Sequence, residues 1–132
     1  MIHKTAIVDV KAKISDNVKI GPYCLIGPEV EIGTDTILHS HVNIVGNTKI
    51  GKNNQIYPFS SIGTPPQDLK YKGEKNSLII GNNNKFREYV NINPGTEQGG
   101  GITRVGDNNL FMVYCHIAHD SLISNNIVLA NN

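Results

Sequence analysis

Residues 18–33 read VKIGPYCLIGPEVEIG, and within them an isoleucine followed by a glycine recurs every six residues. The same spacing continues on both sides of this stretch without a miss. The aliphatic residues in this phase are Ile2, Val8, Ile14, Ile20, Ile26, Ile32, Leu38, Ile44, Ile50, Ile56 and Ile62. The position two residues earlier is small or β-branched nearly throughout, as at Cys24 and Val30. Each hexad therefore has two candidate inward positions.

A period of six fits neither an amphipathic helix, which needs apolar residues three and four apart, nor a strand, which alternates. It fits a short strand followed by a turn, with three such sides closing one coil of a parallel β-helix. Pro22, Pro28 and Pro58 occupy one turn position. Clusters of Asn and Asp, which tolerate a left-handed backbone, recur at Asp16-Asn17, Asn53-Asn54, Asn82-Asn83-Asn84, Asn108-Asn109 and Asn125-Asn126. We predict an all-β solenoid, with residues 1–132 forming one domain.

Composition narrows the class of protein. A chain of 132 residues with 39% hydrophobic residues is globular, and its net charge of +1 gives no general attraction for nucleic acid or anionic membranes. No apolar stretch approaches the roughly 20 residues of a membrane span, and the repeat begins too early for a signal peptide. We expect a cytoplasmic protein without membrane insertion. Cys24 and Cys115 occupy the small inward position and are predicted to be buried thiols.

Two inserted loops interrupt the hexads, at about residues 64–77 and 93–103. The aliphatic phase resumes at Ile80 after the first and at Val105 after the second. Loops on a regular solenoid often carry recognition residues, since the scaffold does not need them. The first is equally well explained as a solvated surface loop. The second contains the run Gly99-Gly100-Gly101, which fits either a close backbone approach to a ligand or a flexible turn.

The segment HIAHD at residues 116–120 is the richest in chemical groups. Histidine suits proton abstraction near neutral pH, and a carboxylate partner fixes its tautomer and favours the imidazolium. Neighbours in sequence need not be hydrogen-bonded, so two structural histidines on the surface remain an open alternative. A metal site is not expected, because His116 and His119 are three apart on an extended strand and nothing fixes a third ligand.

Three segments in order, QDLKYKGE at 67–74, GTEQGGG at 95–101 and HIAHD at 116–120, resemble the UDP-N-acetylglucosamine acyltransferases of lipid A biosynthesis. The resemblance implies a left-handed β-helix, a known exception to the right-handed crossover rule, assembled as a homotrimer. It also implies the transfer of an (R)-3-hydroxyacyl group from acyl carrier protein to the 3-hydroxyl of UDP-N-acetylglucosamine, the first step of the pathway. No metal or organic cofactor is implied.

The resemblance assigns roles to individual residues. His119 matches the general base, and Asp120 matches the residue that orients and polarises it. Residues implied to contact the substrates are His116, Gln67, Asp68, Lys70 and Asn93. The family usually has His-Arg before Gly-Thr, where this chain has Asn93-Pro94, so one polar contact in the cleft is changed.

The family extends for about as many residues again, through further coils and a C-terminal helical domain. We therefore expect this chain to be a fragment, truncated before that domain and inactive by itself. One alternative is a non-catalytic trimerisation or scaffold fragment of the same fold. Another is the related N-acyltransferase of the pathway, although that enzyme normally has an extra N-terminal domain, whereas the hexads here begin at Ile2.

Overall fold

The computed structural model describes all 132 residues and contains short strands but no helix. No segment could therefore cross a lipid bilayer as a helix. The strands are β1 (Ile7–Val8), β2 (Lys13–Ile14), β3 (Lys19–Ile20), β4 (Leu25–Ile26), β5 (Glu31–Ile32), β6 (Ile37–Leu38), β7 (Asn43–Ile44), β8 (Thr48–Ile50), β9 (Gln55–Ile56), β10 (Ser61–Ile62), β11 (Ser77–Ile80), β12 (Lys85–Phe86), β13 (Asn91–Ile92), β14 (Ile102–Val105), β15 (Leu110–Phe111), β16 (His116–Ile117), β17 (Leu122–Ile123) and β18 (Val128–Leu129).

Consecutive strands belong to different sheets, so that every third strand pairs in parallel with the one before it in the same sheet. The first sheet has the order β1-β4-β7-β10-β13-β16, the second runs from β2 to β17, and the third from β3 to β18. Each contains six strands. The register keeps the aliphatic residues in line across both inserted loops, since Ile62 pairs with Ile92 across the first and Ile92 pairs with Ile117 across the second. Three hexads therefore form one coil, as predicted.

The interior is built from the two predicted inward positions of each hexad. In the two-residue strands of the middle coils, the second residue is buried and the first faces outward, as in β4 and β12. Phe86 and Phe111 continue the aliphatic column and stack face to face with centroids 4.9 Å apart. Both cysteines are free and buried, which confirms the prediction for them. The core is a continuous column through the solenoid.

At the corners after the second and third sheets, the chain turns through a residue with positive φ. After the second sheet these residues are Asn17, Asp35, Asn53, Asn83, Asn108 and Asn126, and all but Asp35 lie in the predicted Asn and Asp clusters. After the third sheet they are the unpredicted Tyr23, His41, Phe59, Tyr89 and Tyr114. These rings stack on one another from coil to coil, with centroids 4.9 to 5.3 Å apart. Ring stacking thus accompanies a backbone conformation that bulky residues seldom adopt.

Inside the corner after the second sheet, Asn54, Asn84 and Asn109 form what we call the asparagine ladder. Each is at most 3% exposed. The Asn84 side chain donates to the Gly106 carbonyl at 2.9 Å and accepts from the Asn109 amide at 2.9 Å. Asn54 and Asn109 repeat the same pattern one coil away on either side. The ladder joins the coils through side chains whose nitrogen and oxygen atoms each have a partner.

The corner after the first sheet differs from the other two. It holds both long connections, residues 63–76 between β10 and β11 and residues 93–101 between β13 and β14. We call them the first loop and the second loop. In the next coil the same corner contains His119 and Asp120, between β16 and β17.

Candidate active site

His119 and Asp120 form a hydrogen-bonded pair at the corner after the first sheet. The His119 Nδ1 and Asp120 Oδ2 atoms are 2.8 Å apart. Asp120 turns the corner with φ of 63°, a conformation that aspartate tolerates better than most residues. The side chains are 36% and 13% exposed, respectively. The two side chains therefore interact, which their adjacency in the sequence alone did not establish.

Thr96, from the second loop, supplies two further donors to the Asp120 carboxylate. Its backbone amide donates to Oδ1 at 2.7 Å and its hydroxyl donates to Oδ2 at 2.5 Å. The Asp120 amide in turn donates to the Thr103 hydroxyl on β14 at 2.9 Å. Burial alone raises the pKa of the Asp120 carboxyl, but the hydrogen bonds from Thr96 and His119 together hold that pKa below its ordinary value.

An ionised Asp120 determines the proton arrangement on His119. A carboxylate can only accept hydrogen bonds, so the His119 Nδ1 must carry the proton that joins them. In the neutral ring, Nε2 then has a free lone pair, and no group within the chain is hydrogen-bonded to it. This is the arrangement of a general base whose carboxylate partner stabilises the imidazolium formed after proton transfer.

The second loop folds tightly against Asp120. The Thr96 carbonyl accepts from the Gly99 amide at 3.1 Å and the Gly101 amide at 2.6 Å. A Cβ atom at Gly99 would overlap the Asp120 carboxylate, so the close backbone approach is to Asp120 and not to a ligand. Gly100 and Gly101 have open space around them but φ values of 112° and 82°. The run of three glycines therefore serves two purposes, close packing and a left-handed turn.

His116 lies on the outer face of the first sheet, where its side chain is exposed. In register beside it is Asn91 on β13, and beyond that Ser61 on β10. Sequence reasoning did not single out Ser61 and Asn91 as possible site residues. They could have been found from the hexad phase, since both immediately precede an inward aliphatic residue, as His116 does.

Asn93 is buried beneath this face and is 2% exposed. Its amide nitrogen donates to the Thr64 carbonyl at 3.0 Å, and its backbone amide donates to the Ile117 carbonyl at 3.1 Å. Its amide oxygen is buried with no hydrogen-bond partner. Asn93 thus links the start of the first loop to the strand of His116, and its side chain is closed to solvent.

Gln67, Asp68 and Lys70 lie in the first loop. Gln67 and Lys70 are exposed, whereas the Asp68 carboxylate accepts from the Lys70 amide at 2.9 Å. None of the three makes a hydrogen bond to His119 or Asp120. Lys70 instead lines an open polar pocket of about 380 Å³ whose far side includes Glu97 and Gln98 of the second loop. The two loops therefore face each other across this pocket. The second loop also contacts Asp120.

No group of three or more His, Cys, Asp or Glu side chains lies close enough together to hold a metal ion.

Comparison with known proteins shows what this chain is similar to. Residues 11–46 match the bacterial transferase hexapeptide family of six repeats. Two curated proteins named acyl-[acyl-carrier-protein]–UDP-N-acetylglucosamine O-acyltransferase are similar: one from Thermodesulfovibrio yellowstonii, 55% identical over 98% of this chain and 50% of its own, and one from Rickettsia typhi, 60% identical over 90% and 45%. The solved structure of LpxA from Acinetobacter baumannii superposes with a TM-score of 0.98 and 53% identity, over 99% of this chain and 51% of its own.

The resemblance to the UDP-N-acetylglucosamine O-acyltransferase family is confirmed. The left-handed parallel β-helix expected from it is confirmed as well. The chain spans about half the length of the curated relatives it matches. The activity of a whole protein of this family is therefore a matter of proposal for this chain.

Proposed function

We propose that the chain supplies the catalytic β-helical part of an acyltransferase that moves an (R)-3-hydroxyacyl group from acyl carrier protein to the 3-hydroxyl of UDP-N-acetylglucosamine. This is the first step of lipid A biosynthesis. The observation that carries the proposal is the His119–Asp120 pair, with Nδ1 bonded to a carboxylate and Nε2 free. It lies in a chain more than half identical to proteins named for this reaction. Those names do not favour the scaffold fragment or the N-acyltransferase.

The proposed chemistry is a direct transfer. His119 Nε2 takes the proton from the sugar 3-hydroxyl while the oxygen attacks the thioester carbonyl carbon. The carbon–oxygen bond forms, the carbon–sulfur bond breaks, and the imidazolium returns the proton to the departing thiolate. Asp120 stabilises the imidazolium between these two proton transfers. No covalent intermediate on the enzyme is needed, and no metal or organic cofactor enters the mechanism.

The substrate-binding residues form two groups in this proposal. His116 contacts the N-acetyl region of the sugar from the outer face of the first sheet, where the neighbouring side chains Ser61 and Asn91 are also polar. Gln67, Asp68 and Lys70 contact the substrates from the first loop, and Asn93 supports that loop through Thr64. The partners are acyl carrier protein and, in a homotrimer, two further copies of the chain.

A chimera tests the proposal. Residues 1–132 would replace the matching part of the Thermodesulfovibrio yellowstonii relative, and acyl transfer from acyl carrier protein to UDP-N-acetylglucosamine would be measured. We expect transfer by the chimera and a loss of about 10²- to 10⁴-fold in kcat for His119→Ala, the usual contribution of a general base. The matched control is His3→Ala, an exposed histidine in the first coil, which should leave kcat unchanged.

Two outcomes would contradict the proposal in different ways. A chimera that folds and assembles like the parent enzyme but transfers no acyl group would exclude the function for this chain. An active chimera that keeps its turnover after His119→Ala would leave the function in place and remove His119 as the base.

A further inference from the structure

We propose that Thr96 is a positioning residue for the His119–Asp120 pair and that the second loop serves to aim the Asp120 carboxylate at His119 Nδ1. The catalytic consequence rests on the proposed function. The positioning itself does not, because it concerns contacts within the chain.

Thr96 supplies most of the hydrogen-bond donors that hold the Asp120 carboxylate. Of the three donors recorded on the Asp120 carboxylate, Thr96 provides two, one to each oxygen. The third is His119 Nδ1. A carboxylate held by a single donor can rotate about its last torsion, which is broad, whereas donors on both oxygens fix its plane. With Oδ1 held by the Thr96 amide, Oδ2 is directed to His119.

Thr96 is itself held in place by burial and by a hydrogen bond. It is 3% exposed, and its hydroxyl accepts from the Gly99 amide at 3.2 Å. A hydroxyl that accepts from one side has its proton free to point to the other, where Asp120 lies. The packing of Gly99 against the carboxylate leaves no room for Asp120 to move toward the loop. Loop and carboxylate therefore fit each other closely.

Thr96 also favours the ionised form of the Asp120 carboxyl. Burial favours the neutral form of Asp120 and raises its pKa, and the Thr96 hydroxyl is the largest of the influences that lower the pKa below its ordinary value. A protonated Asp120 would carry no negative charge and would stabilise the His119 imidazolium less. Because the pKa is lowered on folding, the ionised carboxylate stabilises the folded corner above the ordinary carboxyl range. That contribution is lost as the pH falls through the folded-state pKa.

The test uses the 132-residue chain and does not depend on activity. The Asp120 side-chain carboxyl would be followed by ¹³C NMR during a pH titration, with Asp120→Asn to assign the signal. Thr96→Val keeps the shape and the backbone amide but removes the hydroxyl, so the pKa of Asp120 should rise. Thr96→Ser keeps the hydroxyl and should restore the pKa. An unchanged pKa in Thr96→Val overturns the proposal.

A second measurement covers the case in which Thr96→Val does not fold. In the unmodified chain the Thr96 amide signal should shift with pH at the same midpoint as the Asp120 carboxyl, because the two are hydrogen-bonded at 2.7 Å. A Thr96 amide that does not respond to the ionisation of Asp120 would also overturn the proposal.

The chimera described above supplies the catalytic test. Thr96→Val should lower kcat by about tenfold or more, the equivalent of one hydrogen bond to a charged group, without changing KM, since Thr96 is only 3% exposed. Thr96→Ser should restore kcat. Unchanged kcat in Thr96→Val removes the positioning role while the function stands. An inactive unmodified chimera removes the function while the titration result stands.

Discussion

The asparagine ladder and the His119–Asp120 corner solve the same structural problem in different ways. Both place polar side chains at a corner of the β-helix, and both use them to join one coil to the next. In the ladder, the nitrogen and the oxygen of the Asn84 side chain both have partners within the chain. At the other corner, His119 Nε2 has no partner in the chain, and the amide oxygen of Asn93 nearby is buried without one.

The asparagine ladder therefore serves the stability of the β-helix, whereas the His119–Asp120 corner has a polar group free for chemistry. A buried polar group with all its hydrogen bonds stabilises a fold, whereas an unsatisfied group is costly and is retained where it has a use. The asparagine ladder also repeats through successive coils. The His119–Asp120 corner occurs once, where the second loop packs against it. Breaking each region should therefore affect different properties of the molecule.

The largest effect on stability is expected from the ladder. Asn84→Ala leaves the Gly106 carbonyl and the Asn109 amide without their partners inside the protein. Because each unsatisfied buried group costs about 1–3 kcal/mol, the two together should lower the free energy of unfolding by about 2–6 kcal/mol. Chemical denaturation would measure this, with His119→Ala as the control. His119 is partly exposed and makes one side-chain hydrogen bond, to Asp120, so its replacement should cost only about 0.5–1.5 kcal/mol. Equal losses in the two variants would contradict the comparison.

A smaller and more selective effect is expected from the glycines of the second loop. Gly99→Ala places a Cβ atom on the Asp120 carboxylate, and such overpacking costs about 1–3 kcal/mol. Gly100→Ala meets no neighbouring atom but strains a backbone with φ of 112°, at a similar cost of about 1–3 kcal/mol.

Only Gly99→Ala should displace Asp120, so the two variants separate loop stability from site geometry. Hydrogen exchange of the Thr96 amide, which is bonded to Asp120, would distinguish them. We expect faster exchange in Gly99→Ala than in Gly100→Ala at matched stability. The reverse order would show that the close approach of Gly99 to the carboxylate is unimportant.

Much of the fold could be predicted from the sequence because one hexad specifies one side of the solenoid. The aliphatic phase gave the inward column and the parallel register, and the Asn and Asp clusters gave one set of corners. The aromatic corner was missed, because a bulky residue such as Phe59 seldom adopts a positive φ by itself. Its stabilising neighbours, His41 and Tyr89, belong to other coils and cannot be recognised from local sequence.

The candidate site could be predicted only in part. His119 and Asp120 are adjacent, so their pairing was visible as a hypothesis. Thr96 lies 24 residues before Asp120, and its contact depends on the path of an inserted loop that has no hexad phase. Thr103 lies on β14, 17 residues before Asp120, and its contact joins two successive coils. The glycine run indicated a close backbone approach, but the approaching group is the carboxylate of the chain itself.

The most direct test of the account is the proton position on His119, read from the ¹⁵N chemical shifts of its ring in the neutral form. The account predicts that the proton resides on Nδ1, held by Asp120, and that Nε2 is unprotonated and free to act as a base. Asp120→Asn should disturb this preference, and His116 serves as the internal reference because it has no carboxylate partner. A His119 ring that carries its proton on Nε2 in the unmodified chain would contradict the account.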